Sequence, residues 1–208
     1  MSIAFGPAQS IVGTDMQDAE PPHIAVSGRN VYVLWHEFPT AAAAVPDVFF
    51  ARSSNRGQTF SPRMNLSNSA NEDSRDEDMA LSDGDIYVVW SEAGNIKFRK
   101  STDNGASFDT ATQLNGSTVN ALGPQIKVDD SDVYVVWSAE PAAGTATEIF
   151  LAHSDDGGKN FDAETNVSNT TGNSQAPQAA LSGDRIVVTW QDDSNPGKGL
   201  EIFYARST

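Results

Sequence analysis

Five side chains carry the chemistry this sequence offers at matched places: His23, Asp78, Gln125, Gln178 and Lys127. The first four hold one position in four copies of a repeated phrase, at the start of a short apolar segment. Lys127 lies two residues further along one copy, where the others have Ala25, Ala80 and Ala180. An imidazole, a carboxylate and two amides supply both donors and acceptors, which suits a polar ligand, a cation or ordered water. Ordered water is the plainer occupant. Small residues suit a crowded axis, and a lysine among them points into a channel and pairs with acids there. The run DSRDEDMA (73–80) brings Asp73, Asp76 and Asp78 close in sequence and has the composition of a Ca2+ loop. It lacks the glycine and terminal glutamate of an EF-hand, so a solvated acidic loop competes with a cation site. No other cofactor is implied. His23, His36 and His153 show no zinc-ligand spacing. The absence of cysteine removes disulfides, thiolate metal sites and cysteine nucleophiles.

The elements that position these residues come from a repeat. Trp35, Trp90, Trp137 and Trp190 sit in four matching phrases, VYVLWHE, IYVVWSE, VYVVWSA and IVVTWQD. Each phrase follows a second apolar segment across a short Gly/Asp/Asn turn, which reads as a β-hairpin. A third segment follows (DVFFAR, NIKFRK, EIFLAH, EIFYAR), and a fourth recurs as MNLSN, TQLNG and TNVSN. The unit is thus four short strands, a to d, with no helical periodicity. Four strands in a period of about 50 residues predict a β-propeller blade. The blades expected are 22–68, 78–116, 124–169 and 178–208, the last completed by an N-terminal strand over 5–13, since FGPAQSIVG aligns with FSPRMNLSN of strand d. The chain is one all-β domain.

The c–d turns read SSNRGQTF, STDNGASF and SDDGGKNF. The repeated residues are Ser53, Asn55, Gly57 and Phe60; Ser101, Asp103, Gly105 and Phe108; and Ser154, Asp156, Gly158 and Phe161. An Asx side chain caps N–H groups of its own turn, a glycine supplies positive φ, and the aromatic folds back to seal the blade's outer edge. This pattern resembles the Asp-box (bacterial neuraminidase) repeats of the sialidase superfamily, and the sialidase-like repeat proteins of archaea, over almost the whole chain. The resemblance implies a propeller in which these boxes are peripheral fold elements. It also brings a sialidase-type glycoside hydrolase into view, with a tyrosine nucleophile, a glutamate, an aspartate and three arginines. The family's Arg-Ile-Pro phrase is missing here. Tyr32, Tyr87 and Tyr134 share one strand position and read as packing, as does Tyr204. Arg52, Lys100, His153 and Arg206 form another equivalent set, read as exposed cations.

Comparing the copies separates uniform from variable parts. The a–b and c–d turns agree; the b–c and d–a connections differ in length and composition. In a meander blade the variable pair emerges on one face, the usual place for binding loops on a rigid scaffold. That face holds Asp15, Asp18, Glu20, Glu37, Glu72, Asp73, Asp76, Glu77, Asp78, Glu92, Glu140, Asp192 and Asp193. The net charge of −15 argues against nucleic acid and anionic membranes as partners, and no apolar run is long enough for membrane insertion. No signal peptide is recognisable. A secreted or cell-surface parent is expected; the sequons at Asn65, Asn115, Asn166 and Asn169 permit glycosylation in that case, although two are the strand d phrase, for which a structural cause is the plainer one. The sequence thus predicts a non-catalytic binding or scaffold propeller for a glycan, protein or cation. It forms either a closed four-bladed ring or half of an eight-bladed homodimer, the latter favoured. A glycoside hydrolase and a fragment of a larger propeller are the alternatives.

Overall fold

In the computed structural model of the chain, which describes residues 4, 6–12, 16–39, 45–183 and 185–208, every regular element is a β-strand. These strands form four separate antiparallel sheets. Sheet I contains β1 (Met16–Ala19), β2 (His23–Ser27), β3 (Asn30–Pro39), β4 (Asp47–Ser53) and β5 (Met64–Asn65). Sheet II contains β6 (Ser74–Ser82), β7 (Asp85–Glu92), β8 (Asn95–Ser101) and β9 (Thr112–Gln113). Sheet III contains β10 (Val119–Asp129), β11 (Asp132–Glu140), β12 (Glu148–Ser154) and β13 (Thr165–Asn166). Sheet IV contains β14 (Ser174–Ser182), β15 (Arg185–Asp192) and β16 (Glu201–Arg206). Phe5, Asp15 and the connection at 40–44 lie outside the described residues.

Alternation along each strand decides how the sheets stack. Successive side chains point to opposite faces, so an apolar strand must be covered on both. In β3, Tyr32 and Leu34 pack with Val48 and Phe50 against Ile86, Val88 and Trp90 of sheet II. Val33 and Trp35 turn the other way, with Phe49 and Ala51. Sheets II and III repeat the arrangement. The innermost strands β2, β6, β10 and β14 lie side by side in that order, so the strand a positions converge.

Strand a differs from expectation. It starts upstream of the ring position, and a bulge interrupts it between Arg75 and Asp78, Leu122 and Gln125, and Gln175 and Gln178. Asp76, Gly123 and Ala176 take positive φ at these bulges. In sheet I, Pro21 and Pro22 divide the strand into β1 and β2, both paired with β3. The residue before the ring position is Pro22, Pro124 or Pro177 in three copies, and Glu77 in sheet II, which bulges without a proline. Proline brings no N–H to the ladder, and a bulge lets pairing resume beyond it.

The N-terminal strand also departs from expectation. Residues 6–12 form no strand, and sheet IV keeps three strands. Ile11 and Val12 instead pack with Phe60 on the Val33, Trp35, Phe49 and Ala51 face of sheet I. The apolar face nearest in sequence captures the segment, and among the described residues the outer edge of β16 is unpaired.

Candidate functional site

The three c–d turns are built alike. Ser53 Oγ donates to Asn55 Oδ1 at 2.8 Å and accepts from Gly57 N at 2.9 Å. Ser101 and Ser154 do the same with Asp103 and Gly105, and with Asp156 and Gly158. The Ser107 hydroxyl and amide, and then Ser101, hold the Asp103 carboxyl down at about 2. Asn160 and then Ser154 hold Asp156 at about 2. Phe60 packs on its own sheet, and the other two turn aromatics also reach the sheet before theirs. Phe108 meets Phe50 of the preceding sheet edge-on at 5.0 Å, and Phe161 meets Phe98 likewise at 5.0 Å. Two of the strand c cations bond to the next sheet. Arg52 Nη1 donates to Asn104 O at 3.0 Å, and Lys100 Nζ to Gly157 O at 3.1 Å. Both groups lock one sheet to the next. His153 sits 2.9 Å from Asp132.

The variable connections share one face. Ala93 N donates to Asp73 O at 3.1 Å, Ala121 N to Gly94 O at 3.0 Å and Asn173 N to Asp193 Oδ1 at 2.6 Å. Many of its acids serve the fold. Glu37 accepts the Trp35 indole N–H, Glu92 that of Trp90 at 3.1 Å, and Asp192 that of Trp190 at 3.2 Å. Sheet III has Ala139 at this place, and the buried Trp137 Nε1 has no acceptor among the described residues. Asp73 turns to Arg75, Asp76 Oδ2 accepts from Ser91 at 3.1 Å, and Asp78 points elsewhere. Among the described residues no group of three or more His, Asp or Glu side chains converges as a metal ion requires. The sequon side chains are likewise engaged: Asn65 and Asn166 accept from the amides of Asn68 and Asn169, and Asn115 from Ile96 N.

Of the expected ring, His23 and Asp78 meet, and Lys127 joins them. Asp78 Oδ2 accepts Ile126 N at 3.0 Å and lies 3.6 Å from Lys127 Nζ. Its Oδ1 accepts Met79 N at 2.9 Å and lies 3.5 Å from His23 Nδ1. Lys127 Nζ also donates to Ile126 O at 2.9 Å. Asp78 is buried and His23 is exposed. Gln178 donates to Pro177 O at 2.9 Å, and neither it nor Gln125 bonds to Asp78.

A neighbouring pair was not singled out by its sequence. His36 Nδ1 and Glu77 Oε2 are 2.9 Å apart, joining sheets I and II. The signal was present: His36 stands where the other copies have Ser91, Ser138 and Gln191, and Glu77 replaces the proline of the other three. Burial pulls the His36 pKa down, but the Glu77 hydrogen bond and the charges of Glu77 and Glu20 outweigh it, so the pKa is raised. A raised pKa means stability present at acid pH and lost as pH rises through the folded value. Glu77→Gln removes the charge, so burial then dominates and the His36 pKa falls below its ordinary value. An NMR pH titration of the imidazole checks this; an unchanged midpoint contradicts it.

No family model matches the sequence, and no curated protein matches it. Solved structures do. An alpha-L-arabinanase of Penicillium chrysogenum complexed with arabinobiose is 15% identical, with 86% of this chain and 59% of that one covered and a TM-score of 0.61. The GH93 alpha-L-arabinofuranosidase of Fusarium graminearum is 13% identical over 94% and 64%, with a TM-score of 0.61. The endo-arabinase of Bacteroides thetaiotaomicron is 12% identical over 95% and 78%, with a TM-score of 0.58. The chain spans less than two thirds of the length of the first two. What it shares with them is the fold, an all-β architecture of the propeller type.

Proposed function

We propose that the chain is an Asp-box propeller module that binds a neutral oligosaccharide on its loop face and does not cleave it. The observation that carries this reading is the state of Asp78. Most glycosidases, the tyrosine-dependent sialidases aside, use two carboxyl groups facing each other across the bond, about 5–5.5 Å or about 6.5–9.5 Å apart. Asp78 is the one carboxylate at its ring position; its equivalents are His23, Gln125 and Gln178. Both its oxygens accept backbone amides, and Lys127 stands beside it. Such a group orients partners rather than shuttling protons. The His23 imidazole and the Lys127 ammonium beside this carboxylate match sugar hydroxyls, which both donate and accept.

The second reading is a glycoside hydrolase, favoured by the arabinan-cleaving proteins that share the fold. Incubation with fluorogenic arabinofuranosides and sialosides separates the two. The binding reading expects no release above buffer from either the wild type or Asp78→Asn. Turnover by the wild type that Asp78→Asn abolishes overturns it in favour of hydrolysis.

A further inference from the structure

We propose that the exposed faces of sheets I and IV bind each other between two copies of this chain, head to tail, with residues 6–12 of each copy joining β16 of the other. This rests on the repeat and not on the oligosaccharide reading.

The two inner joints show what a completed joint contains. A strand c aromatic, Phe50 or Phe98, lies against the turn glycine of the next sheet, Gly105 or Gly158. The turn aromatic, Phe108 or Phe161, covers that ring edge-on. The strand c cation, Arg52 or Lys100, donates to the carbonyl of Asn104 or Gly157. Sheet IV carries the first half of this set as Tyr204 and Arg206, and sheet I carries the second half as Gly57, Phe60 and the carbonyl of Arg56. The two halves are complementary by descent from one repeat.

Both halves are uncovered. Ile24 and Val26 on sheet I are 68% and 61% exposed, and Ile202 and Tyr204 on sheet IV are 73% and 74% exposed. A Cβ at Gly57 would meet only Val31 Cγ2, at 3.9 Å, whereas the inner glycines are filled by phenylalanine. Exposed apolar faces beside an unpaired strand edge are a template for association. Two further observations choose a second copy as the occupant. Ile11 and Val12 already sit against the Trp35 cluster, as Met64 and Leu66 of strand d sit against Trp90 in the inner joint. That leaves their other side free for a β16 that their own sheet IV does not bring. A cavity of about 440 Å³ also opens between sheets III and IV, lined by Tyr134, Leu151, His153, Val167, Ile186 and Ala205. The inner joints hold a turn aromatic there. Two such joints related by a twofold axis close a ring of eight sheets.

Light scattering after size exclusion tests this on the chain as it stands. The expected mass is about twice 22.2 kDa. Tyr204→Asp changes an exposed side chain, so it keeps the far-UV spectrum and melting cooperativity while weakening association at least about 30-fold. The register of Phe50 with Met64 maps onto Tyr204 with Gln9. Because the chain has no cysteine of its own, Gln9→Cys with Tyr204→Cys then gives a covalent dimer on oxidation. A monomeric wild type, a dimer indifferent to Tyr204→Asp, or a crosslink confined to single chains overturns the proposal.

Discussion

Gly105→Ala lowers the stability of the folded chain by about 3 kcal/mol, whereas Gly57→Ala lowers it by about 1 kcal/mol. Both glycines have left-handed φ, +77° and +79°. That backbone costs an L-residue roughly 1–2 kcal/mol, and this part is common to both variants. The surroundings differ. A Cβ on Gly105 would lie 2.7 Å from Phe50 Cε1 and Cζ and 3.1 Å from Ile86 Cδ1. The Phe50 ring cannot retreat, because Phe108 holds it edge-on at 5.0 Å and Tyr32 stacks on it at 6.0 Å. Forcing a methyl into such packing adds about 1–3 kcal/mol. The comparison belongs in the Tyr204→Asp background, where Gly57 stays uncovered. In a chain of this size the melting temperature then falls by roughly 6–12 °C for Gly105→Ala and about 2–4 °C for Gly57→Ala. Equal losses would mean that the joint between sheets I and II is not packed as described.

Asp192→Ala costs about 3 kcal/mol near neutral pH and flattens the acid limb of the stability curve. The carboxylate is fully buried and gathers donors from two loops and two strands. It accepts Ser174 Oγ at 2.7 Å, Ser194 N at 2.8 Å, Thr170 Oγ1 at 3.0 Å and Trp190 Nε1 at 3.2 Å. Removing it orphans these groups, each at about 1–3 kcal/mol when buried, with some relaxing toward water. Burial raises the carboxyl pKa, but the bonds from Ser194, Ser174 and Trp190 outweigh it and hold the group well below the usual range. A depressed folded pKa gives stability that is present above the unfolded value, about 3.9, and lost as pH falls toward the folded one. Urea titrations from pH 7 down therefore show a steeper decline in the wild type than in the variant. Parallel declines would remove Asp192 from the acid response.

The periodic part of the molecule was legible because it is written several times. Trp35, Trp90, Trp137 and Trp190 mark strand b of each sheet, and Ser-x-Asx-x-Gly marks each turn. What the sequence hid lies between repeats. The indole–carboxylate bonds join residues only two apart, yet their carboxylates read as part of an acidic face. The destination of Phe108 and Arg52 is the adjoining sheet, which spacing within one repeat does not reveal. The ring of four equivalent residues assumed symmetry, and the structure breaks it: Lys127 and His23 gather at Asp78, while Gln125 and Gln178 stay apart. Departures from the repeat, His36 and Glu77 among them, were the better guide to where sheet I differs in chemistry from its copies.

The central claim is that the group around Asp78 binds sugar without cleaving it. Calorimetric titration of arabinobiose into the wild type and Asp78→Asn, with the sugar recovered and sized afterwards, tests it most directly. The account predicts saturable heat in the wild type, at least a tenfold weaker isotherm in Asp78→Asn (about 1.4 kcal/mol), and intact disaccharide in both. Identical isotherms, or recovery of the sugar as monosaccharide, would contradict it.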